Sequence, residues 1–168
     1  MVHSKPHRLW DHLVTDHWSA KRAFSPAALK HIEEAITEGE RHHAGQLRFV
    51  VEPSLALHAV LRGDAPRQRA LEVFGRLRIW DTEENCGVLV YLLLADHAVE
   101  IVADRGIHRR VGDASWHSIC RKMEAEYRSG RFEEGAIAGI DAINALLALH
   151  FPRTSAGLNE LPDKPVVL

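Results

Sequence analysis

The sequence predicts an α/β fold, a three-layer α/β/α sandwich in which a small central mixed sheet carries a β-hairpin and is flanked by helices on both faces. Three observations lead there. Gly87 to Leu94 is a near-continuous apolar run, the pattern of a strand buried on both faces. A second β-rich run, Ala98 to Ala103, follows after the turn Ala95-Asp96-His97, which makes a hairpin. Amphipathic helical stripes precede and follow this pair, so each face of the sheet has helices available to cover it.

The elements follow in order. Residues 6–23 read as one short amphipathic helix, with Leu9, Leu13 and His17 on one face and Trp10, Val14 and Trp18 beside it. Ser25-Pro26 starts a second helix, because serine caps free amides and proline tolerates the first turn. Its apolar face is Ala28, Ile32, Ala35 and Ile36, and Gly45 is expected to give a left-handed stop. Gln46 to Glu52 is a strand between Gly45 and Pro53, while Pro53 to Leu61 reads equally as a strand end or a helical turn. A helix starting near Pro66 carries Ala70, Val73, Phe74 and Leu77 on one side. Gly106 and Gly112 are expected to bracket a loop, and Asp113 to cap a helix with Trp116, Ile119, Cys120, Met123 and Tyr127 inward. A last helix bears Ala136, Ile140, Ile143 and Leu147, and the Pro-rich end reads as an extended tail. The expected organisation is residues 1–24 as an N-terminal amphipathic helix, 25–152 as the α/β domain and 153–168 as the tail.

Composition narrows the function. A length of 168 residues with 46% apolar content fits one domain with a filled core. The 21 basic and 23 acidic residues leave a net charge near −2, with no basic block to hold nucleic acid. No apolar run approaches a membrane span and the N-terminus lacks a signal-peptide core, so the expectation is a cytoplasmic protein without membrane insertion. Cys86 and Cys120 form no C-x-x-C, and they read as packed thiols.

None of the familiar nucleotide, metalloprotease or serine-hydrolase motifs occurs. The twelve histidines are scattered, and convergence on a soft metal is not visible in their spacing. The distinctive stretch is Asp81-Thr82-Glu83-Glu84-Asn85 directly before the buried strand. Its carboxylates and amide are hard oxygen donors suited to calcium or magnesium. Hairpin pairing of Leu94 with Ala98 would return Asp104 towards Asn85, so both open ends of one hairpin can converge. The plain alternative is a solvated acidic loop, and Asn85 can equally serve the turn. His108-Arg109-Arg110 offers an anion a landing place, or simply neutralises the acidic loop.

Taken together, HAGQLRFVVE, the run from Ala70 through WDTEENCGVLVYLLLADHAVEIVADRGI, the Trp116 helix, GRFEEGAIAGIDAINALLALHFP and Asn159-Glu160-Leu161 resemble the TPM-domain family, in its stand-alone branch without signal peptide or membrane helix. The set Asn85-x-Gly87-Val88-Leu89, Asp104-x-Gly106-Ile107 and Trp116 carries the likeness. It implies an α/β sandwich, divalent-cation binding in an acidic depression at the sheet edge for some members, acid phosphatase activity for a plant member, and accessory roles in membrane-protein assembly for others. Two departures stand out: Ala44-Gly45-Gln46 replaces the usual Ser-Gly-Glu, and Glu84-Asn85 the usual Arg-Asn.

The resulting expectation is a binding or accessory module for calcium or another divalent cation, with Asp81, Glu84, Asn85 and Asp104 as ligands. The alternatives are a metal-assisted phosphomonoesterase, with Arg109 or Arg110 on the phosphate, and a module for an unidentified protein partner using the Trp10/Trp18 helix or the apolar tail.

Overall fold

The computed structural model describes residues 5–153 and 159–168. The predicted single N-terminal helix is two helices, α1 (Lys5–Val14) and α2 (His17–Ala23). Asp16 separates them: its carboxylate accepts the Ser19 N–H at 2.9 Å and caps α2. Helix α3 (Pro26–Glu40) is capped by Ser25, as the sequence implies. It stops at Glu40, five residues before Gly45, which lies outside the left-handed region. Gly45 instead answers a space requirement, since a side chain there would meet Leu147 at 2.8 Å.

Strand β1 (Gln46–Glu52) leads to α4 (Leu57–Arg62), which settles the ambiguous segment as a helix ended by left-handed Gly63. Helix α5 (Pro66–Arg76) follows, then β2 (Gly87–Leu93) and β3 (Ala98–Ala103). The expected loop around His108 is a short helix, α6 (Arg105–Val111), capped by Asp104. Helices α7 (Asp113–Arg128) and α8 (Phe132–His150) complete the helical set. Asp113 is the first residue of α7 rather than its cap; Gly112, at φ +77°, holds that position. The tail contributes a further strand, β4 (Val166–Val167).

The sheet order is β3-β2-β1-β4, with β1 parallel to both β2 and β4, and β2 antiparallel to β3. The hairpin pairs Leu93 with Ala98, one residue earlier than the sequence suggested, because Leu94–Asp96 is taken up by a tight 3-10 turn and His97 turns left-handed. Strand alternation divides the core in two. Leu47, Phe49, Val51, Val88, Val90 and Leu92 face the larger core with α3, α7 and α8. Val50, Leu89, Tyr91 and Leu93 face a smaller one with α4 and α5. Every residue of β1 and β2 is buried. Phe24 sets its ring edge against Phe49, Tyr127 and Phe132 in the larger core.

The free edge of β3 is covered by side chains. Arg67 donates to Ile101 O at 2.5 Å and Glu124 accepts the Val99 N–H at 3.2 Å, which removes a template for pairing with another chain.

Helix α1 is tied to the body through Asp96. The carboxylate receives Arg8 in a fork at 2.9–3.1 Å and His12 Nε2 at 3.1 Å. His12 Nδ1 accepts the Leu55 N–H at 2.9 Å, so its other nitrogen carries the proton that reaches Asp96. Burial opposes ionisation of Asp96, but the bonds from His12 and Arg8 outweigh it and hold the carboxyl down at about 2. A depressed acid stabilises the fold fully above its ordinary value of 3.8 and loses that contribution as pH falls through about 2. Asp96→Asn is therefore expected to cost on the order of 3 kcal/mol at pH 7. The gap to wild type should close between pH 4 and 2, which denaturant melts across that range would measure.

Candidate functional site

The hairpin mouth is built by a turn on each side. On one side, Asn85 N–H bonds Thr82 O at 3.1 Å and Cys86 N–H bonds Thr82 Oγ1 at 2.9 Å, so buried Thr82 fastens the acidic loop to the start of β2. Asn85 sits at φ +52°, a left-handed geometry that asparagine accepts more readily than other non-glycine residues. Gly87 leaves no room for a side chain, because the Ile79 carbonyl occupies that place. On the other side, Asp104 N–H bonds Gly87 O at 2.9 Å, continuing the ladder past β3. Its Oδ1 accepts the Arg105 N–H at 2.6 Å and caps α6. The two turns touch at Gly106: a Cβ there would lie 2.9 Å from Asn85 O and 3.7 Å from Glu84 O.

This geometry brings some of the expected ligands together and leaves others apart. Across the mouth the Asp104 N–H reaches Gly87 O, and Gly106, two residues on, lies against the main chain of Glu84-Asn85. The side chains of Asp81, Glu84 and Asn85 are exposed, and among the described residues no three His, Cys, Asp or Glu side chains converge on a common ion position. The oxygens at the mouth are thus one carboxylate and main-chain carbonyls rather than a carboxylate cage.

Asp104 Oδ2 is buried and makes no hydrogen bond. Two other buried side-chain atoms share that condition among the described residues, Trp116 Nε1 and Tyr127 OH, but both belong to the larger core. Of the three, only Asp104 is a carboxylate, and it stands at the open end of the hairpin. A buried acceptor without a donor is costly, so the site favours a cation or a water beside it.

The basic pair is not aimed as a pair. Arg110 donates to His150 O at 3.0 Å and stacks 4.7 Å over the Phe151 ring, so it serves the end of α8. Arg109 is exposed. His108 lies 3.6 Å from Asp113. The thiols add no nucleophile: burial pushes Cys86 up and Cys120 up to about 12, so both remain protonated.

Sequence reading missed two polar clusters, one at each end of β1. Glu52 accepts the Tyr91 hydroxyl at 2.5 Å and a fork from Arg69 at 2.8–3.2 Å, beside a cavity of about 210 Å³ that His58 and Gln68 help to line. Burial, then the Glu52 carboxylate, push the Tyr91 phenol upward, so it stays a donor. At the other end lie Glu40, Gln46 and Arg48. The available signal was polar residues at positions 46, 48 and 52 of a strand that is otherwise apolar.

The fold and the mouth define an α/β module of the TPM class. Residues 19–146 match the TPM domain, so the chain belongs to the TPM-domain family. The NMR structure of the BA42 protein from the psychrophilic bacterium Bizionia argentinensis is 26% identical, over 86% of this chain and 95% of that one, with a TM-score of 0.76. The solution structure of the N-terminal domain of a P. gingivalis protein is 20% identical, over 79% of this chain and 83% of that one; its TM-score of 0.60 speaks for the fold alone. No curated protein matches the chain. Among the described residues no helix is long and apolar enough to cross a membrane.

Because the Asn85 side chain is exposed while its main chain shapes the mouth, Asn85→Gly should leave stability within about 0.5 kcal/mol of wild type. Asn85→Val should cost about 1–2 kcal/mol through its left-handed backbone. Urea melts of the two variants would distinguish them.

Proposed function

We propose that the hairpin mouth binds one hard divalent cation, calcium by the character of its donors, and that the protein works as a binding module rather than a catalyst. The observation that carries this reading is the buried, unpartnered Asp104 Oδ2, two residues before Gly106, where the Glu84 and Asn85 carbonyls approach the chain. Calcium accepts irregular sets of carboxylate, main-chain carbonyl and water oxygens, whereas magnesium demands a regular octahedron. Asp104 would supply the charge, and the carbonyls of Glu84 and Asn85 would complete the protein side. Asp81 and the Glu84 carboxylate, both exposed, would act by drawing cations towards the mouth. One buried carboxylate implies weak binding, with a Kd on the order of 0.1–1 mM. Binding is preferred to phosphate-ester hydrolysis because Arg110 is already engaged at His150 and Phe151.

Asp104→Ser provides the test, since serine keeps a cap for α6 while removing the unpartnered oxygen. A calcium titration of chelator-stripped wild type should give saturable amide shifts at Asn85 and Asp104. The variant should bind at least about tenfold more weakly. Equal binding by both proteins would sink the assignment, and steady aryl-phosphate turnover lost in the variant would move it to catalysis.

A second reading rests on a separate surface. Trp10, Leu13, Val14 and Trp18 are all more than half exposed, an apolar face on α1 and α2. We infer a protein-docking role for it. Trp10→Ala with Trp18→Ala should abolish partner capture while leaving the calcium titration intact; capture undiminished by the double change would count against this face.

A further inference from the structure

The final ten residues lie along β1 in a groove of buried polar side chains. Gln46 Oε1 accepts the N–H groups of Glu160 at 2.7 Å and Leu161 at 3.0 Å. Arg48 donates to Pro162 O and, at 3.2 Å, to Lys164 O. Leu161 is buried in the smaller core, Val166 and Val167 pair with Val50 and Val51, and the Leu168 N–H reaches Val51 O at 2.9 Å. Asp163 accepts from the Thr37 hydroxyl at 2.5 Å and from the Asn159 amide at 2.6 Å. Glu160 in turn accepts the Glu83 N–H at 2.9 Å, which ties this segment to the acidic loop.

Glu40 underlies the groove. It is 5% exposed, its Oε1 accepts the Leu47 N–H at 2.7 Å, and its Oε2 has only the long 3.4 Å contact from Gln46 Nε2. No cation forms an ion pair with it among the described residues.

We propose that residues 159–168 form a latch on the β1 edge whose engagement is set by the charge on Glu40. Gln46 sets the two side by side, since one end of its amide meets Glu40 and the other holds the segment, and the Asp163 charge carries the coupling. Burial is the main influence on Glu40 and pushes its carboxyl up to about 8. The Leu47 N–H works against that rise, Asp163 adds to it, and Arg153 opposes it. The remaining charges nearby are otherwise employed. Glu38 pairs with Arg41 and His42 in solvent, and Arg48 is held by carbonyls of the segment. His43 is buried against Gly45 and Asn144, and burial lowers its affinity for a proton.

Docking therefore brings the Asp163 charge towards a carboxyl already removed from water. Undocking takes Asp163 away and admits water to Glu40. A docked segment and a protonated Glu40 support each other, and the coupling is reciprocal. The sign follows: stabilisation from Glu40 is fully present below its ordinary value of 4.5 and is lost as pH rises through about 8. Release would also free the Glu83 N–H, so the acidic loop loses one of its ties. The latch does not depend on whether the mouth binds a cation.

The test uses the full chain without added metal. The Glu40 side-chain carboxyl and the Val166–Leu168 amides are followed by NMR from roughly pH 6 to 9.5. Glu40 should titrate near 8, with the Leu168 amide leaving its docked position at the same midpoint. Glu40→Gln should keep the segment docked throughout. Titration of Glu40 near 4.5, a Leu168 amide that does not follow it, or the same transition in Glu40→Gln would each overturn the proposal. Should Glu40→Gln fail to fold, Asp163→Asn decides: its Glu40 midpoint should fall below wild type, and an unchanged midpoint overturns the latch.

Discussion

Strand β1 is buried along its whole length and yet carries Gln46, Arg48 and Glu52 into the interior. Buried polar groups without partners are costly, so each must be met by a group from elsewhere in the chain. Glu52 is met by Arg69 of α5 and Tyr91 of β2. Gln46 is met by Glu40 of α3 and by the backbone of Glu160-Leu161, and Arg48 by carbonyls of the same segment. The apolar side chains of β1 fill both cores, but they are interchangeable with others of similar volume. The polar ones specify which helix, which neighbouring strand and which terminal segment belong beside this strand.

That requirement explains what the sequence revealed and what it hid. The hairpin was legible because period-two and continuous apolar patterns act locally: the Ala98–Ala103 strand lies where expected, and β2 differs by one residue at its end. The helical faces of α3, α7 and α8 were legible for the same reason, since Ile32 and Ile36, Ile119 and Met123, and Ile140 and Ile143 stand at helical spacing and are buried. The N-terminal break at Asp16 was obscured by an apolar stripe that continues across it. Helix α6 was hidden because the stretch from Gly106 to Gly112, with two glycines and three basic residues in seven, resembles a loop, whereas the Asp104 cap gives its first turn a partner. Strand β4 was beyond local pattern altogether: two valines become a strand only when a distant edge is open to receive them.

For the candidate site the division is similar. Spacing alone indicated that Asp104 would return towards Asn85, and the ladder bond from Asp104 to Gly87 realises that approach. Side-chain direction was not legible, because it depends on the left-handed Asn85 and on the contact at Gly106. The loop therefore presents its carboxylates to solvent and the Asn85 carbonyl to Gly106. Gln46, the first residue of β1, is likewise turned to a distant use: its amide oxygen serves the terminal segment and its amide nitrogen meets Glu40.

The two buried thiols have a practical consequence. Neither Cys86 nor Cys120 offers a thiolate at ordinary pH, since both are enclosed and protonated. The native chain is therefore a quiet background for thiol chemistry. A single cysteine introduced on the surface would be the preferred target of a maleimide probe, so spectroscopic reporters can be attached at chosen points without first stripping the core of its sulfur.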